Sequence, residues 1–388
     1  MNEITPKYSC TGCALCTATC SVKAISMNME RDGFRYPVVD QTRCMDCGLC
    51  SKNCPANQAI ELYPIQSYQI CQIKDMQVLK DSSSGGVSFA FAQHIIEGGG
   101  YVCGCVWDKN WTPKHILINK IEDLKKIQGS KYAQSALSAE IFQRIRELCK
   151  SGRKVLFLGT PCQVAAIRRF TLDDENLIPI DLICHGVGSP GVFMYYTKKI
   201  GRKLGEPITK VHFRSKEGKL YPRNYNMTMK SEHGHYSKPE MKDPYYAAFS
   251  SGRILRECCF RCEYAKKERV GWLSLGDYIS DKELTQKVDR ALGLNLVTIN
   301  NQKGLEIFKK VQTNLAIKTL QNEPIKKNLE RPEPRPSKRD KLNRCDIHSE
   351  KDMKRVLRRP IKDVLKSFMS SELKKRIKRG IRSFKKNK

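Results

Sequence analysis

The stretch C10-T-G-C-A-L-C-T-A-T-C20 places four cysteines within eleven positions, and C44-M-D-C-G-L-C-S-K-N-C54, followed by Pro55, repeats its spacing. Both runs read C-x2-C-x2-C-x3-C. Such a density of thiols needs a chemical reason. The chain opens on MNEITPKYSC, without the basic start, apolar stretch and cleavage site of a secretory signal. A cytoplasmic location is therefore expected, and disulfides are rare there. Eighteen cysteines among 388 residues then point to metal or redox work rather than staples.

Paired cysteines also suit structural zinc, which needs four ligands in two pairs, commonly C-x2-C twice. Here each run has a third cysteine at the same gap, and the whole unit is duplicated. Three cysteines at two-residue gaps wrap one iron–sulfur cubane. In the bacterial pattern the fourth reaches the other cluster. That pattern assigns Cys10, Cys13, Cys16 and Cys54 to one [4Fe-4S] cluster, and Cys44, Cys47, Cys50 and Cys20 to a second. Cys20 is followed by Ser21 where the pattern has proline, which loosens the turn and removes no ligand. Between the runs, GFRYPVVD (33–40) supplies short strands for a small two-fold ferredoxin unit.

Beyond ELYPIQS (61–67) ordinary globular patterning begins. SGGVSFAFAQHIIEGGG reads as a loop, an apolar helix and a glycine stop. GYVCGCVW, HILI, VLFLG (155–159), LIPIDLIC (177–184), KVHFRS, YNMTMK and LNLVTIN read as strands. TPCQVAAIRRF and VFMYYTKKI read as helices. Ser138 caps a helix whose Ile141, Phe142, Ile145, Leu148 and Cys149 share one face. Cys149, Cys103 and Cys105 are expected to be plain core. The proline- and charge-rich segment from Glu323 to Arg339 is expected to be extended and poorly packed. The fold class is α+β: a small dicluster ferredoxin domain (1–66) fused to a mixed α/β domain (67–345), with a basic tail (346–388).

SSSGGVSFA (82–90), GSKYAQS (129–135), GTPCQVAAIR (159–168), DLICHGVGSP (181–190) and RECCFRCEY (256–264) together resemble the coenzyme F420 hydrogenase/dehydrogenase beta subunit family. LGDY (275–278) and LGLNLVTINNQKG (292–304) also fit. The resemblance runs from about residue 3 to 342, with the ferredoxin unit as an N-terminal fusion. It implies FAD beside an iron–sulfur cluster, passing electrons between clusters and a small-molecule hydride acceptor or donor, F420 or another organic substrate. It also implies that Cys162, Cys184, Cys259 and Cys262 ligate a third [4Fe-4S] cluster. Cys162 and Cys184 stand at strand ends, where α/β domains place functional groups. Cys258 occupies a usual serine position, so either it or Cys259 ligates; Cys259 keeps the C-x2-C gap. For flavin or substrate phosphates, Ser84, Gly85 and Gly86 precede a helix, where free N–H groups favour anions. Ser130 and Lys131 add a hydroxyl and a point charge. No catalytic acid or base is legible.

GVGSPG (186–191) matches a dinucleotide fingerprint, but Pro190 inside the turn and Cys184–His185 before it argue against that use. The expected partners are a redox protein or ferredoxin-like donor and the small molecule. An electron-transfer adaptor without its own catalytic flavin is the alternative. Net charge is +30. From Lys351 to Lys388, sixteen Lys or Arg against three carboxylates place +13 in the last tenth. After Pro360, residues Ile361, Val364, Leu365, Phe368 and Met369 mark one apolar helical stripe among these cations. A basic amphipathic helix lying on an anionic membrane, on its inner face, is expected; the alternative is that the stripe packs on the protein's own body or on a partner subunit. The cysteine runs carry few interleaved basic or aromatic residues, which speaks against nucleic acid.

Overall fold

The computed structural model describes residues 3–217, 225–278, 290–324, 329, 332 and 334–358. Near the N-terminus, β1 (Ile25–Met29) and β2 (Arg35–Val39) form an antiparallel pair. They lie between two short helices, Leu15–Thr19 and Leu49–Lys52, each of which lies inside one of the two cysteine runs. GFRYPVVD supplies β2 of the expected two-fold unit, whereas β1 comes from the residues before it.

The body is built on one eight-stranded sheet. Its strands are β3 (Ser67–Ile73), β4 (Tyr101–Trp107), β5 (Pro113–Ile118), β6 (Val155–Gly159), β7 (Leu177–Leu182), β11 (Leu273–Asp277), β12 (Asn295–Ile299) and β13 (Leu315–Thr319). They run in the order β13-β3-β12-β11-β7-β6-β4-β5. The central strands β11, β7, β6 and β4 are parallel, and the strands on either side pair antiparallel. The apolar runs VLFLG and LIPID are central parallel strands, covered on both faces and therefore nearly all apolar. Helices Val87–Glu97 and Gln302–Val311 pack in one core with β3, β11 and β12. Helices Ala139–Lys150 and Pro161–Thr171 pack in another. Ser138 caps the former, its Oγ accepting from the Ile141 amide, as its position predicts.

A second sheet of β8 (Lys210–Ser215), β9 (Asn226–Lys230) and β10 (His235–Pro239), in the order β10-β9-β8, packs with helix Pro190–Leu204. The ferredoxin-type unit shares both neighbouring cores. Cys13, Leu15 and Ala18 join the helices Ala139–Lys150 and Pro161–Thr171, whereas Cys10, Phe34 and Tyr36 join the second sheet. A sixty-residue unit buries too little on its own, and here it borrows its core from the body.

The expected core roles of Cys103 and Cys149 hold, both being buried; Cys105 is half-buried. The segment from Glu323 to Arg339, in part outside the described residues, is exposed as expected at Glu323, Pro334, Arg335, Ser337 and Lys338 but packed at two positions. Leu329 and Arg339 are buried, and the Arg339 guanidinium donates to the Leu255 carbonyl. A run of prolines and charges does not reveal that one of its cations will find carbonyls indoors. Within the expected tail, helix Glu350–Leu357 buries Met353, Val356 and Leu357 in the core of the second sheet. The stripe beginning at Ile361 lies outside the described residues. Among the described residues no helix is long and apolar enough to cross a membrane.

Candidate functional site

The two cysteine runs fold alike at the level of single torsions. Gly12 and Asp46, two residues after the first cysteine of each run, have φ of 66° and 51°. Ala14 and Gly48, just after the second cysteine, have φ of 64° and 71°. Left-handed residues set between right-handed ones turn successive N–H groups inward, the nest that suits anions and iron–sulfur sites. Ala14 bears a steric cost that glycine avoids at Gly48. Gly12 has a further reason: a Cβ there would lie 2.7 Å from Gln134 Nε2 and 2.8 Å from Arg256 Nη1.

All eighteen cysteines lie among the described residues, and none forms a disulfide. The Cys16 thiol, raised by burial, also feels Cys13, Cys10 and Cys54. Burial pushes Cys13 to about 12, with Cys54 adding to it. Cys54, raised by burial, feels Cys10. Cys50, likewise raised, feels Cys47 and Cys20. Cys10, Cys13, Cys16 and Cys54 are thus electrostatic neighbours of one another, and Cys50 is a neighbour of Cys47 and Cys20. Cys10 and Cys13 are buried, whereas Cys47 is exposed. The Ala24 amide donates to Cys20 Sγ at 3.2 Å.

A third group gathers at the carboxyl edge of the parallel strands. Cys162 lies in the first turn of helix Pro161–Thr171, just after β6, where Thr160 and Gln163 form a capping box. Thr160 Oγ1 is 3.3 Å from Cys162 Sγ. Cys184 follows β7, and the Gly186 amide donates to its Sγ at 3.3 Å. Cys258 and Cys259 sit in the short helix Glu257–Arg261, with Cys262 next to its end. Burial pushes Cys162 to about 12, and Cys262 and Cys259 add to it. Burial lifts Cys184 well above the ordinary thiol range, where it feels Cys259, Cys162 and Cys262. Cys262 rises to about 11 by burial and by Cys259. A hydrogen bond between Cys258 and Cys259 raises the former and lowers the latter. Cys13 also senses Cys162, so the first and third groups are neighbours. Among the described residues no three His, Cys, Asp or Glu side chains gather at a single-ion position. A cubane is instead a cluster of four irons held by four thiolates.

Beside this edge lies a cleft of about 920 Å³. Trp107, Trp111 and Phe213 form part of its wall, and eight Lys or Arg side chains line it against three carboxylates. Ser130 and Lys131 line it as expected from GSKY. Lys131 Nζ, however, donates to the carbonyls of Ile127, Gln128 and Gly129 at 3.1, 2.8 and 3.1 Å. Burial lowers its pKa to about 8. The Ser130 amide donates to Ser83 Oγ at 2.7 Å, and Ser83 lines the cleft. Ser84, Gly85 and Gly86 serve the backbone instead. Ser84 Oγ donates to the Leu294 carbonyl, the Gly85 carbonyl accepts from Ile73, and Gly86 is the N-cap of helix Val87–Glu97. A Cβ at Gly85 would lie 2.6 Å from the Cys71 carbonyl oxygen, which explains the residue by close approach. The motif LGDY is explained by an ion pair: Asp277 holds Arg214, a lining residue, at 2.5 Å. Sequence reading missed Lys80, Lys125, Lys126 and Lys210, because they converge on the cleft from three separate stretches. Three ring contacts connect the cleft to the third group: Phe213–Tyr132 at 5.2 Å, Tyr132–Phe249 at 4.9 Å and Phe249–His185 at 5.2 Å.

Comparison with known proteins accords with this geometry. Residues 152–324 match the family defined by the C terminus of the coenzyme F420 hydrogenase/dehydrogenase beta subunit, and residues 9–58 match the 4Fe-4S dicluster domain. The chain is 29% identical over 174 residues to the coenzyme F420-dependent sulfite reductase of Methanocaldococcus jannaschii, covering 44% of this chain and 26% of that protein. It is 28% identical over 75 residues to NADH-quinone oxidoreductase subunit I 2 of Symbiobacterium thermophilum, covering 18% of this chain and 30% of that protein. The chain thus spans less than a third of either curated relative. A chain in a structure of the F420-reducing [NiFe] hydrogenase complex from Methanosarcina barkeri is similar at 19% identity and a TM-score of 0.46, covering 66% of this chain and 83% of that one. With a match to the 4Fe-4S dicluster domain at residues 9–58 and to the C-terminal family of the coenzyme F420 hydrogenase/dehydrogenase beta subunit at residues 152–324, the chain is related to iron–sulfur electron-transfer oxidoreductases.

Proposed function

We propose that the chain is a flavin-dependent iron–sulfur oxidoreductase with three [4Fe-4S] clusters and FAD, exchanging electrons with an F420-like or other organic hydride acceptor or donor. The observation that carries this reading is the serial placement of three cysteine groups next to a basic cleft. Cys47 is exposed on the second group, and Cys13 of the first neighbours Cys162 of the third. Clusters supply single electrons, and a flavin collects two for hydride transfer.

The residues present suit these groups. Cys10, Cys13, Cys16 and Cys54 would hold one cluster, and Cys20, Cys44, Cys47 and Cys50 the second. Cys162, Cys184, Cys259 and Cys262 would hold the third; Cys162 is near both Cys258 and Cys259, whereas Cys184 feels Cys259, which favours Cys259. Amides from Ala24 and Gly186 donate to Cys20 and Cys184 and would stabilise added negative charge there. The cleft falls within the 300–1,000 Å³ usual for small-molecule sites. Its excess of cations suits a diphosphate, with Lys80, Lys125, Lys126 and Lys210 offering charge and Ser83 and Ser130 offering hydroxyls. Lys131 shapes this wall by ordering the turn it caps. The half-buried Trp107 and Trp111 offer apolar surface for a planar ring.

An exposed second group suits docking of a redox protein. The same reading divides the chain into a ferredoxin-type domain (1–66), a flavin and iron–sulfur domain (67–345) and a basic tail (346–388). The tail would hold the protein on the inner face of an anionic membrane, which vesicle co-sedimentation with and without residues 359–388 tests, leaving the buried helix Glu350–Leu357 in place. Anaerobically prepared protein is expected to contain about twelve iron and twelve sulfide per chain and to release about one FAD on denaturation. About eight iron would remove the third cluster. Failure to retain FAD after reconstitution would favour an adaptor that lacks its own flavin.

A further inference from the structure

Arg256 is the unassigned member of RECCFRCEY, and its surroundings are unusual for a cation. Its side chain is 1% exposed. Among the described residues, every hydrogen bond it makes goes to a neutral oxygen or to sulfur. Nε donates to the Cys10 carbonyl at 2.7 Å and Nη1 to Gln134 Oε1 at 2.8 Å. Nη2 donates to the Arg35 carbonyl at 3.0 Å and to Cys10 Sγ at 3.5 Å. The guanidinium carbon stands 4.2 Å from the centre of the Tyr36 ring. Its own backbone belongs to the third group: the Arg256 carbonyl accepts from the Cys259 amide at 3.1 Å, and its amide donates to Val187.

An enclosed charge without a counter-charge is strongly unfavourable. The fork also fits only because Gly12 has no side chain, since a Cβ there would meet Nη1 at 2.8 Å. Two anionic clusters, one on either side, would supply the missing negative charge. We propose that Arg256 is a positioning residue that couples the first and third cysteine groups, holding the Cys10 loop against the Cys259 loop and raising the reduction potential of the clusters it faces. Each reduction adds one electron and one negative charge to a cluster. The guanidinium keeps its proton throughout, so its positive charge favours the reduced form without a proton transfer. Gln134 orients the fork, accepting from Nη1 while its own Nε2 donates to the Thr11 carbonyl at 2.7 Å.

This inference rests on the cluster assignment proposed above, and the test separates the two. Iron and sulfide are measured on the full-length wild type, Arg256→Met, Arg256→Lys and Gln134→Glu. The reduction midpoints are then followed by electron paramagnetic resonance in a dithionite titration. Arg256→Met removes the charge, Arg256→Lys keeps it without the fork, and Gln134→Glu places a carboxylate against it. With about twelve iron retained, Arg256→Met and Gln134→Glu should each lower at least one midpoint. The expected shift is a tenfold change in the oxidised-to-reduced ratio, or about 59 mV for one electron. Arg256→Lys should shift it by less than half as much. Midpoints unchanged in Gln134→Glu would overturn the proposal even if Arg256→Met failed to load iron. A wild type with about eight iron would instead overturn the third cluster on which it rests.

Discussion

Replacing Asp181 with alanine strands the Arg269 guanidinium at the carboxyl edge of the parallel strands. Asp181 Oδ2 accepts from Arg269 Nη2 at 2.8 Å, with the two side chains 0% and 1% exposed. Arg269 also donates to Ser274 Oγ and to the carbonyls of Leu182, Lys266 and Tyr264, so it ties the loop after Cys262 to the strand end before Cys184. Breaking a buried pair from one side costs about 3–5 kcal/mol. The remaining carbonyl partners place the expected loss near the lower end, about 3 kcal/mol. For a body of this size that lowers the thermal midpoint by roughly 6 °C. The assay is circular dichroism of the anaerobic holoprotein, scanned at one rate for all variants because large proteins unfold irreversibly. Glu217→Ala is the control. Its pair with Lys230 is exposed, 61% and 40%, and its removal should cost no more than about 0.5 kcal/mol. Asp181→Leu combined with Arg269→Met should recover most of the loss, because a pair of matched apolar groups leaves no charge behind. A midpoint for Asp181→Ala within about 2 °C of wild type would refute the reasoning.

Two further outcomes follow from the same geometry. Cys162→Ala should lower iron by about four per chain while leaving the two ferredoxin-type clusters intact, and retention of about twelve iron would exclude Cys162 as a ligand. His115 is buried, with Nε2 3.0 Å from the Leu158 carbonyl oxygen, and burial lowers its pKa from 6.5 to about 4. The unfolded chain therefore binds the extra proton first. Its contribution is complete above pH 6.5 and is lost as pH falls toward 4, a change of about 3 kcal/mol. His115→Gln should flatten the pH dependence of the thermal midpoint in that window, and an equally steep fall in the variant would assign the effect to other groups.

The cysteine runs were legible because their information is local. Equal gaps from Cys10 to Cys20 and from Cys44 to Cys54 force equal loops, and the matching φ values at Gly12 and Asp46, and at Ala14 and Gly48, are the outcome. The central strands VLFLG and LIPID were legible for a similar reason, since apolar runs bounded by turns have few other uses. GSKY was read by its residue types, which do not reveal how its lysine is held. Lys131 lines the cleft, yet its ammonium is occupied by three carbonyls of its own turn.

Everything that joins distant segments depended on folding. A duplicated cysteine unit, a mixed α/β body and cysteines at strand ends could all be read from neighbouring residues. Only in the folded chain does the ferredoxin-type unit share two cores with the body, Cys13 neighbour Cys162, and lysines from three stretches make one cleft. Folding also brought Arg256 within reach of Cys10, 246 residues away in the chain. The physical reason is range. Backbone torsions and side-chain periodicity are set over a few residues, whereas burial, charge pairing and cleft shape depend on which surfaces exclude water together.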